Sequence, residues 1–174
     1  MVIHVSDRRR LPARSRIAAT VLVATAWGCG GQAGQMTDAT RASVHDTVLA
    51  LFQSCIDEEM HGNPEVCLGQ MSRSPAFRYF VNTALSRSAD SITTRTRRGF
   101  AHRLRWEMEV RLDTVVVLGP DAAVLTANLH VTSQDSGGPV VRRPASWTLV
   151  YARDAHGWSI VHGHWTYGDA QPVP

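Results

Sequence analysis

The sequence predicts an α+β domain in which helices come first and a strongly curved antiparallel sheet comes last. Two observations carry this. Residues 38–60 repeat apolar side chains at intervals of three and four, and residues 106–167 fall into four runs rich in Val, Thr, Trp and Ile, separated by short turns of Gly, Pro and Asp. Strands joined by tight turns pair antiparallel, and the helices that precede them must cover one face of the resulting sheet. With 174 residues and 44% apolar composition, the chain has material for one such domain, placed at residues 37–168 with a short tail over 169–174.

Residues 1–28 read as an export signal. Arg8, Arg9, Arg10, Arg14 and Arg16 precede an apolar run over 17–26 that is too short to span a bilayer, and small residues follow. Ala26-Trp27-Gly28-Cys29 resembles the cleavage box of bacterial lipoproteins. That resemblance implies lipidation at Cys29, a flexible tether over 29–36 and a place in the bacterial cell envelope, held to the membrane by lipid. The net charge of +3 belongs to the signal, because the rest of the chain carries 13 arginines against 14 acids. Such a balance gives a nucleic-acid partner no footing. Setting Cys29 aside leaves Cys55 and Cys67, an even pair suited to an oxidising compartment; a bridge between them and two buried thiols are both open.

In the first helix Val44, Val48, Leu51, Phe52, Cys55, Ile56 and Met60 share one side, Thr37 or Asp38 caps the start, and Gly62 ends it. Asn63-Pro64 restarts a short helix to about Gln70, which puts the two cysteines around one turn. Residues 76–85 are expected as a first strand, and Asp90 or Ser91 as the cap of a third helix over 92–104, whose arginines form a solvated face. Strands follow over 106–118, 122–133 and 140–153, and a closing arm begins at Trp158. Regular alternation along that arm puts Trp158, Ile160, His162 and His164 on one face, and Ser159, Val161, Gly163 and Trp165 on the other.

The segments GPDAAVLTANLHV and WTLVYARDAHGWSIVHGHWTYG resemble the closing sheet of the nuclear transport factor 2-like superfamily, in particular its SnoaL-like members and the association domain of calcium/calmodulin-dependent protein kinase. The resemblance implies a cone-shaped sheet with N-terminal helices on its concave face and a cavity that either binds a small molecule or is filled. Matching positions puts Leu129, Thr148 and Trp165 in that cavity, alternation then adds Leu125 and Val161, and Tyr79 and Asn82 of the first strand offer it hydrogen bonds, a mostly apolar set. Leu129, Thr148 and Trp165 stand where the kinase domain carries pocket arginines, so those positions offer an anionic ligand no charge. The same alternation sends Trp147, Leu149, Tyr151, Trp158, Ile160 and His162 to the convex side, where so much apolar surface implies a homodimer interface. His162 and His164, even with His130, make an incomplete metal set and are assigned to that interface.

Chemistry is sparsely marked. There is no nucleophile elbow, phosphate loop, metalloprotease motif or cofactor fingerprint, and residues 66–89 contain no acid where ketosteroid isomerase, of the same fold, places its base. The expectation is therefore an exported, membrane-anchored binding module for a small apolar ligand, without a cofactor, or a scaffold whose cone is filled. The alternative is a SnoaL-like hydrolase, dehydratase or isomerase that uses Tyr79, Asn82 and Trp165, with Asp57 or Glu58 as acid or base.

Overall fold

The computed structural model describes residues 36–172; the expected export signal, Cys29 and tether residues 29–35 lie outside them. Helix α1 (Asp38–Met60) starts where the Thr37 hydroxyl accepts a hydrogen bond from Thr40 N at 3.1 Å. It stops at Gly62, whose φ of 80° favours a residue without Cβ. Asn63 Oδ1 then accepts from Glu65 N at 3.2 Å to open α2 (Glu65–Gly69). A disulfide between Cys55 and Cys67 fastens α2 to α1, and a bridge closing a loop of this length contributes about 3 kcal/mol by loop entropy.

The expected strand over 76–85 is a small hairpin, β1 (Arg78–Val81) and β2 (Ala84–Ser86). It is broken by Asn82 at φ 53°, a left-handed conformation that Asn tolerates better than most residues. Ser88, upstream of the expected cap, accepts from Ser91 N at 3.2 Å and starts α3 (Ala89–Phe100). This helix ends four residues earlier than expected, because Arg103 and Arg105 pair with Asp135 and Gln134 and so belong to the sheet.

Strands β3 (Arg103–Gly119), β4 (Ala122–Asp135), β5 (Val141–Asp154) and β6 (Gly157–Tyr167) form an antiparallel meander, and the two-residue β7 (Gln171–Pro172) adds to β5. The order is β2-β1-β6-β5-β4-β3, with β1 running parallel to β6. Register shifts interrupt β3 at three places and the β5–β6 pairing at one, and such irregularities bend and twist a strand locally. Ala123, Leu125, Ala127, Leu129 and Val131 of β4 are buried on its concave side, where the apolar stripe of α1 also enters the core.

Two face assignments differ from the sequence expectation. In β5, Trp147, Leu149 and Tyr151 pair directly with Ala127, Leu125 and Ala123, and directly paired residues share a face. These three side chains therefore point into the cone and are at most 2% exposed, which leaves Thr148 and Val150 on the outside. In β6 the pairing steps from Val150 with His162 to Tyr151 with Ile160, so Val161 is an extra residue and the alternation breaks there. Ile160 joins Gly163 and Trp165 inside, while His162 and His164 stay outside, near the Phe80 ring at 6.1 and 5.6 Å. Trp158 is half-buried with the Arg153 guanidinium 5.5 Å from its ring centre. Trp147, Leu149, Tyr151 and Ile160 are thus core, not interface; the large exposed apolar side chains of the sheet include instead Leu104, Leu112, Val116 and Leu118 of β3.

Tyr79 and Gly163 are register partners on β1 and β6, and the Tyr79 ring lies over Gly163 so closely that a Cβ there would overlap it. Gly163→Ala should therefore displace Tyr79 and cost about 1–3 kcal/mol through overpacking. The loss would be read as a lower denaturation midpoint, whereas an unchanged midpoint would show that the ring is not pinned.

Candidate functional site

A cavity of about 240 Å³ opens between the concave sheet, the end of α1 and one side of α3. Its sheet wall is aromatic: Trp147 and Trp165 meet edge to face at 4.8 Å, Trp106 lies 6.3 Å from Trp165, and Tyr79 and Tyr167 complete the floor. Helix α3 supplies Ile92, Arg95, Thr96, Gly99 and Phe100, a spacing of three and four that keeps them on one side of the helix. Arg103 enters from the first residue of β3, its guanidinium 4.2 Å from the Trp106 ring centre.

Among the described residues, the only carboxylate lining this cavity is Glu59, in the last turn of α1 and 7% exposed. Helical spacing places it there, since Glu59 follows Cys55 and Ile56 by four and three residues and so continues the buried stripe. Asp57 and Glu58, the acids expected from the sequence, face elsewhere: Asp57 is exposed, and Glu58 accepts from Asn63 Nδ2 at 2.7 Å. Burial pushes the Glu59 carboxyl up to about 7, against the pull of the Trp106 indole and the Arg103 charge, which favour the ionised form. Cys55 Sγ, Cys67 Sγ and a Glu59 oxygen lie within 4.8 Å of one another, but the sulfurs are bonded together and offer a metal no thiolate.

The cavity is rich in donors. The indole N–H groups of Trp106, Trp147 and Trp165 are buried and none meets hydrogen-bond geometry, although they face Glu59, Tyr79 and Tyr167 respectively. Burial, reinforced by the nearby Glu59 charge, pushes the Tyr79 phenol well up, and burial also raises Tyr167, so both stay protonated and able to donate.

Of the lining expected from the sequence, Tyr79 and Trp165 are brought together here, and Leu125 and Leu129 are fully buried in the core beside them. Asn82 is spent on the backbone, accepting from Tyr167 N at 2.9 Å while its own N–H donates to Trp165 O at 2.7 Å. Thr148 lies on the outer face and Val161 at the bulge. Glu59, Trp106, Trp147, Arg95 and Arg103 were not anticipated. For Glu59 the signal was present as an acid on a greasy stripe, and for Trp147 it was the parity of β5.

Because the folded chain holds the Glu59 proton more tightly than the usual 4.5, this group's stabilising contribution is complete below pH 4.5 and is lost as pH rises to about 7. Glu59→Gln removes that dependence. Relative to wild type, the variant should be about 3 kcal/mol better off at pH 8 than at pH 4.5, measured by denaturant titration at both values. Equal differences at the two pH values would mean that Glu59 titrates as an ordinary surface acid.

Residues 48–168 match the SnoaL-like domain. No curated protein matches the sequence. Among solved structures, a nuclear transport factor 2-like superfamily protein from Salmonella enterica is similar with a TM-score of 0.66 at 17% identity, covering 76% of this chain and 96% of that one. A hexachlorocyclohexane dehydrochlorinase from Novosphingobium barchaimii gives 0.68 at 8%, covering 79% and 94%. A candidate calcium/calmodulin-dependent protein kinase II association domain from Xanthomonas campestris gives 0.59 at 21%, covering 70% and 86%. At these identities the likeness is one of fold, and it agrees with the resemblance read from the closing hairpin. With the curved sheet, its covering helices and the domain match falling on the same part of the sequence, the chain belongs to the SnoaL-like domain family and has the fold of the nuclear transport factor 2-like protein it resembles.

Proposed function

We propose that the protein is an acid–base enzyme that needs no cofactor and acts on a small, ring-bearing substrate, with Glu59 carrying the proton. One observation supports this above the rest: a lone carboxyl, held near pKa 7 by burial, lines an aromatic cavity open to a ligand. An acid poised there both accepts and returns a proton near neutral pH. The preference for a pure binding module rested on a missing carboxylate; with Glu59 in place, that premise falls away.

The chemistry balances without a redox partner. Glu59 removes a proton from a carbon next to an electron-withdrawing group while a Tyr79 or Tyr167 O–H donates to the oxygen that gains charge. The same proton then returns to another carbon, giving isomerisation, or leaves with a departing hydroxyl as water, giving dehydration. A cavity of about 240 Å³ falls just below the usual range of about 300–1,000 Å³ for ligand pockets and favours a compact substrate. Binding without turnover is the second reading, favoured by the same aromatic lining.

Proton transfer to carbon is directly observable. Cyclic ketones and aryl ketones incubated with the protein in deuterium oxide should take up deuterium next to the carbonyl, seen by proton NMR, and Glu59→Gln should slow this at least about 100-fold. Ligands that bind without any enzyme-dependent exchange would leave the binding reading.

We also propose, from residues 8–29, that the domain is exported and anchored through Cys29, and that the convex side, through Leu112, Val116 and Leu118, packs against a second copy. Expressed in a bacterium, the full chain should fractionate with membranes and Cys29→Ala should release it. The released protein should sediment as a dimer; a soluble wild type or a monomeric variant would count against the corresponding half of this proposal.

A further inference from the structure

The charge at the mouth of the cavity is positive. Arg95 lies on the same side of α3 as Ile92, Thr96 and Gly99, is exposed, and has no ion-pair partner among the described residues. Its neighbour Arg97 differs, being committed to a two-point pair with Glu65 at 2.7 and 2.6 Å. Arg103 is mostly covered, with its side chain 19% exposed; its Nε contacts Asp135 at 3.3 Å, and its terminal nitrogens make no hydrogen bond among the described residues. A third guanidinium, Arg143, sits 5.2 Å from the Tyr167 ring centre with its Nε buried and unpartnered. Arg103 and Arg143 both bear on Tyr167 electrostatically, although Arg143 does not itself line the cavity.

Set against these cations is one acid, Glu59, and below about pH 7 it is mostly neutral. The remaining polar groups in the wall include three buried indole N–H donors, which face Glu59, Tyr79 and Tyr167 outside hydrogen-bond geometry, and two protonated phenols. A ligand rich in donors, or a plain hydrocarbon, leaves these groups unsatisfied, and unpaired buried donors are costly. A carboxylate meets the guanidinium donors of Arg95 and Arg103, which no acceptor in the wall takes up among the described residues. The sequence argument against an anion concerned Leu129, Thr148 and Trp165; the charges come instead from α3 and the start of β3.

We propose that the cavity takes a ring compound bearing a carboxylate, its ring against Trp106, Trp147 and Trp165 and its carboxylate between Arg95 and Arg103 at the mouth. This deepens the acid–base reading by naming a substrate class, and it rests on that reading only for the role of Glu59. Arg95 on the exposed side of α3 and Arg103 beside Trp106 act as the binding handle, and the ring lies along the indole wall near the buried carboxyl.

The test is a comparison of charged and neutral ligands of the same shape. Benzoate and 2-naphthoate are titrated against benzamide and 2-naphthamide at pH 6 and low salt, followed by quenching of tryptophan fluorescence and by calorimetry. The acids should bind at least about tenfold more tightly than their amides, as charge-assisted hydrogen bonds are stronger than neutral ones, and added salt should narrow the gap. Arg95→Gln, at an exposed position, should weaken the acids about fivefold or more and leave the amides unchanged, with an unaltered melting curve as the folding control. Amides that bind as well as acids, acids that do not bind at all, or an Arg95→Gln variant that affects both alike would each overturn the proposal. Glu59→Gln separates the two claims: acid selectivity that survives in this variant while wild type catalyses no deuterium exchange would sink the enzyme reading and keep the anion subsite.

Discussion

The contact on which the rest depends is the packing of α1 along the inner surface of the sheet. Val44, Val48, Phe52, Cys55 and Ile56 bury against the concave residues of the meander, with the Phe52 ring edge-on to Trp147 at 5.8 Å. Gln70 locks the arrangement from below: its Nε2 donates to Leu51 O at 3.0 Å and its Oε1 accepts from the buried Tyr151 hydroxyl at 3.1 Å. A helix held this rigidly carries its last turn to a fixed place. Glu59 is in that turn, and with the disulfide tying α1 to α2 its carboxyl has little room to swing toward water. The same packing that stabilises the domain therefore keeps an acid desolvated, an expense that folded proteins generally carry at sites of chemistry.

Inside and outside surfaces of the sheet use charge in opposite ways. On the outer face, Glu109 gathers Arg111, Arg142 and His130, and Arg105 pairs with Glu107, all partly exposed. Such pairs are screened by water and contribute little each. Within the cavity the acid and the arginines are not paired to one another: Arg103 stacks on Trp106 and contacts Asp135, while the Trp106 indole faces Glu59. Unspent electrostatic capacity is what separates a site from a salt-bridged surface.

Much of this architecture was legible in the residues. The stripe of α1, the Asn63-Pro64 restart and the meander turns follow from local rules that burial does not override. Side-chain direction in the closing hairpin was harder. The placement of Thr148 inward came from matching one family's pocket, whereas the chain's own chemistry pointed the other way: Trp147, Leu149 and Tyr151 need burial more than Ser146 and Thr148 do. The bulge at Val161 carries no sequence mark at all, since it is created by pairing partners on β5 and by the Gln70–Ser72 segment, which bonds Ile160 on both its N–H and its C=O. Glu59 was overlooked because an isolated acid beside Asp57 and Glu58 looks like one more solvated helix-end charge, and only the depth of the cone shows that it is not.

That single extra residue in β6 acts as a reading frame for the wall of the cone. Upstream of it the strand is matched to the segment after α2, and downstream to β1, so each half keeps its own phase. Closing the bulge while keeping Val161 would pair Val161 with Val150 and slip the downstream half by one, turning His162 and His164 inward and Trp165 outward, whereas deleting Val161 leaves both halves paired as they are. Point substitutions can retune this cavity gradually, but a slip of one residue in the pairing of β6 exchanges an indole wall for an imidazole one in a single step.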